Sequence, residues 1–178
     1  MKNITALKDY KKIIKTLLTP NLQCESVQDI SLSSIYNKGY RVLILDVDNT
    51  ILKTSERYLT LHAQNWVAKA QSTGFRVFLV SNNSSKSRIK RVFDQLKVEG
   101  LYFAIKPFIY SAKEFLNDRF IDSNKCVFIG DQLLTDVLIG NWLKSLTVLV
   151  DPLDKKLSFI KTVQKEVEGF LLEKISKL

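Results

Sequence analysis

The chain is short of almost every residue that marks a specialised class of protein. Its 178 residues hold two cysteines, three prolines, six glycines and one histidine. Cys24 and Cys126 stand about a hundred positions apart with no C-x-x-C pair, which excludes a disulfide scaffold and a zinc ribbon and fits a reducing compartment. The glycines, at 39, 74, 100, 130, 140 and 169, never form G-x-G-x-x-G or a P-loop, so the common nucleotide-cradling motifs are missing. His62 has no acid–base partner in its surroundings, and neither a histidine triad nor a zinc protease is supported. No run of about eighteen apolar residues occurs and the lysine-rich start has no signal-peptide core, so the chain reads as neither membrane-spanning nor secreted. Acidic residues are in deficit too. With 27 Lys+Arg against 18 Asp+Glu the formal charge is +9, an excess that points to an anionic partner: nucleic acid, anionic lipid or a phosphorylated metabolite.

What is present is an ordinary globular composition, 46% hydrophobic, at a length that suits one domain with a full core. Four short apolar runs rich in β-branched residues span 41–46, 76–81, 126–131 and 147–151. Their hydrophobicity is continuous rather than alternating, as in strands covered on both faces of a parallel sheet. A fifth, weaker strand is expected at Tyr102 to Ile105. Between the runs lie helical stripes: His62 to Thr73, stopped by Gly74, then Ser84 to Lys97, then a helix from Pro107 to about Asp118. Ser31 to Gly39 reads as an irregular connector. Strand alternating with helix predicts an open α/β sheet whose site lies at the carboxyl ends of the strands.

The strand ends carry the chemistry. Asp46-Val47-Asp48-Asn49-Thr50 closes the first run, Ser81 with Asn82 and Asn83 the second, and Asp131 the run from Cys126, with Asp136 a little over one helical turn later. Lys106 follows the weak strand. Asp46, Asp48, Asp131 and Asp136 give −4 if ionised and Lys106 returns +1, so a dianionic phosphate could hardly enter unaided. Mg²⁺, a hard ion that prefers carboxylate oxygens, resolves the conflict and implies phosphoryl transfer. Taken singly, Ser81, Asn82 and Asn83 are equally good turn or helix-cap residues, and Lys106 an ordinary surface lysine.

Together these motifs, in this order, resemble those of the haloacid dehalogenase (HAD) superfamily. More narrowly, Asp46 to Thr50, Val80 to Asn83, Lys106-Pro107 and Gly130 to Asp136, with Leu18 to Pro20 and Asp29-Ile30 upstream, resemble the YqeG-type phosphatases, similar to phosphatidylglycerophosphate phosphatases of mitochondria and plastids. Val47 and Ile51 stand where leucine is usual there. The resemblance implies a single-domain, HAD-like, three-layer α/β sandwich with a mainly parallel five-stranded sheet. It also implies Asp46 as nucleophile forming an aspartyl-phosphate, and Asp48 as general acid and base. Lys106 would act on the nucleophile and the phosphoryl charge, and Thr50, Ser81 and Asn82 on the phosphate. Asp46, Asp48 through its backbone carbonyl, and Asp131 would hold Mg²⁺, with Asp136 behind them in an outer position. The second acid favours ester hydrolysis over ATPase chemistry.

Between Thr50 and Ser81, and between Ser81 and Lys106, there is no room for the inserted cap with which many HAD phosphatases select substrates. An open rim suits phosphate presented on something large, and the resemblance favours phosphatidylglycerophosphate at the inner face of a membrane, from the cytoplasmic side. Another phosphomonoester or a polynucleotide end is the alternative. A phosphorylated receiver module, the non-enzyme reading, has its acid pair, phosphoacceptor and lysine in a different order. Residues 1–38 are expected to form a basic amphipathic helix and connector, and residues 39–178 the phosphatase core with a carboxyl-terminal helix. In the first helix Ile4, Leu7, Ile13, Ile14, Leu17 and Leu18 oppose several lysines. That stripe suits an anionic bilayer and equally a helix packed on the core.

Overall fold

A computed structural model of the chain describes residues 12–102 and 109–154. The four expected strands are present as β2 (Val42–Leu45), β3 (Arg76–Val80), β5 (Cys126–Gly130) and β6 (Leu146–Val150). Two three-residue strands, β1 (Leu22–Cys24) and β4 (Glu99–Leu101), complete a sheet in the order β1-β6-β5-β2-β3-β4. Every pairing among the described residues is parallel, and the sheet they form has six strands rather than the expected five. The weak strand falls at Glu99–Leu101, ahead of the expected Tyr102 to Ile105, of which residues 103–105 lie outside the described residues.

Alternate residues of the central strands enter opposite cores, as the period of two in an extended chain requires. Leu43, Leu45, Val77, Leu79, Val127 and Ile129 pack on one face, and Val42, Ile44, Phe78, Val80, Cys126 and Phe128 on the other. Helices α2 (Leu32–Asn37), α3 (Leu61–Thr73) and α4 (Lys86–Leu96) cover the first face through Ile35, Val67, Ile89 and Val92. Helices α5 (Ile109–Asn117) and α6 (Leu138–Trp142) cover the second through Phe115, Leu116 and Ile139. The result is the expected three-layer sandwich. Among the described residues there is no cap: residues 51–75 form a loop and α3, and residues 81–98 a loop and α4.

One expectation changes. The segment from Ser31 to Gly39 is helical as α2, its Leu32 and Ile35 buried in the core. The stretch at 12–18, α1, lies against the second face, where Leu18 meets Leu133, Val137 and Leu149, and Ile14 packs against the same cluster. Asn141 fixes the end of α1 by donating from Nδ2 to the carbonyls of Thr16, Leu17 and Thr19 at 2.9–3.2 Å. Lys12 and Lys15 instead line a groove with Lys144, next to Ser145 at the start of β6. Residues 1–11, Pro107 and the expected carboxyl-terminal helix lie outside the described residues.

The strand order dictates where a site can form. From β2 the chain builds outward to β3 and β4 on one side, then returns to build β5 and β6 on the other. The crevice of an open α/β sheet opens where that direction reverses, between β2 and β5. Leu45 is in register with Ile129, and the Asp46 N–H continues the ladder to the Ile129 carbonyl at 2.9 Å.

Gly74 ends α3 as its position in the sequence predicts: at φ 107° its N–H reaches the carbonyls of Ala70 and Gln71. A side chain there would stand 2.7 Å from the Tyr36 hydroxyl. Gly74→Ala should therefore cost about 1–2 kcal/mol of stability, read as a lower midpoint in thermal melting. Burial also pushes the Cys126 thiol up to about 12. In the native protein Cys126 should resist a thiol reagent at pH 8 and become modified only on unfolding, as followed by mass spectrometry.

Candidate active site

Three neighbouring strands deliver their polar ends to one rim. Asp131 follows β5, Asp46 follows β2 and Ser81 follows β3. All three are buried, at 9%, 7% and 1% exposure, so their polar groups are set by protein rather than by bulk water. Asp136 joins them from the turn after β5. That turn, Leu133–Val137, is a single π-helical turn, a form that recurs at functional sites because it redirects side chains. The Gln132 N–H donates to Asp136 Oδ2 at 3.2 Å and fixes the carboxylate. Gly130 is required here, because a Cβ on it would meet the Asp136 carboxyl carbon at 2.2 Å.

One carboxylate oxygen from each of Asp46, Asp131 and Asp136 lies within 4.8 Å of the others. At an effective dielectric of about 20, two ionised carboxylates at that separation repel by roughly 3–4 kcal/mol. Three such pairs approach the stability of a whole domain. The cluster therefore needs positive charge, and its hard oxygen donors suit Mg²⁺. Thr50 supplies one hydroxyl proton between two of these acids, 3.2 Å from Asp46 Oδ2 and 3.4 Å from Asp131 Oδ1. Asn49 supports this tight loop with φ 62°, a left-handed conformation that asparagine tolerates better than most residues.

The Asp48 carboxylate is placed differently. It is outside the cluster: Arg88 donates to Oδ1 from Nε at 3.1 Å and from Nη2 at 2.9 Å, and Asn83 Nδ2 donates to Oδ2 at 2.8 Å. The side-chain carboxylates expected to lie around a cation thus differ by one. Asp136 stands in the cluster itself, and Asp48 is left with only its backbone carbonyl to offer. Ser81 Oγ accepts the Asn83 N–H at 3.1 Å, shaping the turn that aims Asn83 at Asp48. Asn82 is exposed, and Lys106 lies outside the described residues.

Arg88 and the role of Asn83 were not legible as site features. Arg88 is one of several cations in a basic helix, and its partner is 40 positions away. Only the three-dimensional proximity of α4 and the loop after β2 singles it out.

Comparison with known proteins agrees with this geometry. The chain is 28% identical over 165 residues to "Probable phosphatase YqeG" of Bacillus subtilis (strain 168), covering 93% of this chain and 95% of that one. Among solved structures, an uncharacterized protein from Listeria monocytogenes serotype 4b superposes with a TM-score of 0.51 at 16% identity, covering 75% of this chain and 99% of that chain. One from Corynebacterium glutamicum ATCC 13032 gives 0.50 at 18% identity, covering 74% and 96%. These two likenesses concern the fold alone. The family model described as mitochondrial PGP phosphatase matches residues 4–153. With most of the chain matched and the acid cluster in place, the protein belongs to that family and is a HAD-type phosphatase with an Mg²⁺-binding aspartate site.

Proposed function

We propose that the chain hydrolyses phosphatidylglycerophosphate at a membrane surface through an aspartyl-phosphate on Asp46. The observation that carries the chemistry is the carboxylate cluster at the β2–β5 crevice, with a second acid, Asp48, two residues after Asp46 and held by Arg88. An Asp46 oxygen attacks phosphorus in line, and the bond from phosphorus to the ester oxygen breaks. Asp48 gives the departing alkoxide its proton. It then takes one from water, which attacks phosphorus, breaks the bond to Asp46 and releases inorganic phosphate. Asp46, Asp131 and Asp136, with the backbone carbonyl of Asp48, would hold Mg²⁺, which when bound offsets charge on the transferring group. Ser81, Asn82, Thr50 and Lys106 are assigned to the phosphoryl oxygens and to the shape of the loops around them.

The lipid substrate is supported by the matched family's description and by the rim itself. The rim is uncapped among the described residues, and the segments that follow the strand ends expose Tyr58, Leu61, Tyr102 and Leu134. Cations accompany two of these rings: Arg57 and Arg91 lie 5.7 and 5.5 Å from the Tyr58 centroid, and Lys86 lies 5.7 Å from that of Tyr102. Amphipathic aromatics interleaved with positive charge suit an anionic headgroup layer. In this reading the rim faces the bilayer. The Lys12, Lys15 and Lys144 groove lies at the amino-terminal end of β6, about 16 Å away by the rise of five strand residues. No helix of the described residues is long and apolar enough to cross a membrane, so contact would be peripheral.

Purified protein with Mg²⁺ should release phosphate from phosphatidylglycerophosphate in vesicles faster than from 3′- or 5′-phosphorylated oligonucleotides. Asp46→Asn and a chelator should each abolish release. Full turnover by Asp46→Asn overturns the mechanism, and preference for the oligonucleotides overturns the substrate. Gly130→Ala should drive Asp136 from the cluster and weaken Mg²⁺ binding by about tenfold or more, as read by calorimetric titration.

A further inference from the structure

Three donors meet the Asp48 carboxylate, and their distribution is uneven. Arg88 Nε and Nη2 both take Oδ1, and Asn83 Nδ2 takes Oδ2. A carboxylate offers about four acceptor sites, two on each oxygen. Among the described residues three are filled, and one remains, on Oδ2. Both donors are themselves restrained. Arg88 Nη2 also donates to the Lys53 carbonyl at 2.9 Å, and Nη1 donates to the Glu56 carbonyl. Asn83 Oδ1 accepts the Ser85 N–H at 2.8 Å, just ahead of α4. The Arg88–Asp48 pair is largely shielded, with side chains 15% and 22% exposed. A carboxyl group on two rotatable bonds is thereby held in one orientation by the loop after β2 and the start of α4.

We propose that Arg88 and Asn83 are positioning residues for Asp48, fixing its carboxyl group so that Oδ2 presents its one open site to the leaving-group oxygen. The inference rests on the reading of Asp48 as general acid and base. As the phosphorus–oxygen bond breaks, its electron pair goes to the departing oxygen, and the proton on Oδ2 moves to that oxygen. The same Oδ2 site receives the proton of the attacking water in the second half-reaction. Neither Arg88 nor Asn83 touches the phosphoryl group in this scheme. Their effect is to keep a proton donor within reach of one atom, and misplacement of such a group by about 1 Å can cost on the order of a hundredfold in rate.

Leaving-group dependence separates this role from a structural one. The p-nitrophenolate ion departs without a proton, whereas an alkoxide such as that of glycerol phosphate requires one. Arg88→Ala and Asn83→Ala should each lower kcat/KM for glycerol phosphate at least about tenfold more than for p-nitrophenyl phosphate. The loss should fall mainly in kcat, and Arg88→Lys should recover part of it. Asp48→Asn should show the same selectivity, more strongly. Thermal melting monitors folding. If Arg88→Ala unfolds because the Lys53 and Glu56 carbonyls lose their donor, Asn83→Ala, which leaves those bonds in place, carries the test. Equal losses on both esters in the positioning variants, with Asp48→Asn selective, overturn the inference alone. Equal losses in Asp48→Asn overturn the assignment of Asp48, and the inference with it.

Discussion

Like charges held together in a nearly dry crevice are the constraint on which the rest of this molecule depends. Asp46, Asp131 and Asp136 bring carboxylate oxygens within 4.8 Å of one another at a place where water screens them little. No local sequence preference produces such an arrangement. The core must impose it. The β2–β5 pairing is held by residues buried on both faces of the sheet, so the positions of Asp46 and Asp131 follow from the register of a hydrophobic ladder. Asp136 is added by a turn wound one residue wider than an α-helix and pressed over a glycine. Packing supplies the free energy that gathers these carboxylates, and their oxygens suit a divalent cation.

Asp48 shows the same fold solving the opposite problem. Two residues along from Asp46, it would add a further negative charge to the cluster if its side chain turned inward. It is drawn away by a guanidinium and a side-chain amide. The acids of the loop are thus divided between two environments, a carboxylate cluster and a salt bridge. Under the proposed mechanism that division would separate the tasks of nucleophile and acid although the two residues are near neighbours in sequence.

The strand ends were the most legible part of the chain. Each central strand is a run of apolar residues that stops at a polar one, and in a parallel sheet the stops fall on one rim. Elements whose stability comes from elsewhere in the fold were harder to read. Helix α2 has six residues, two of them serine, with little helical propensity of its own, and it forms because Leu32 and Ile35 have a core to enter. Strand β1 exists through its pairing with β6, where Asn21 and Thr147 bond to each other just outside it. Strand β4 lies ahead of the expected Tyr102 to Ile105 and has Gly100 at its centre. A side chain there would meet the Leu79 carbonyl at 2.2 Å, so that glycine is what lets β4 close on β3. All four acids are legible as site residues, Asp136 only in an outer position, but their division between cluster and salt bridge depends on Arg88, a partner that sequence spacing does not reveal.

The open rim also bears on the fate of a phosphorylated aspartate. Enzymes that pass a phosphoryl group to a chosen alcohol must keep solvent away while the acceptor arrives, and they do so by closing something over the site. Among the described residues this fold has only a loop and a helix on each side of the crevice. Nothing among the described residues closes the rim to water. Any competing acceptor has to outpace it without the help of a closed chamber. A rim left uncapped by the described residues thus bears on the chemistry as well as on the choice of substrate: it favours hydrolysis of a phosphorylated aspartate over transfer to another acceptor.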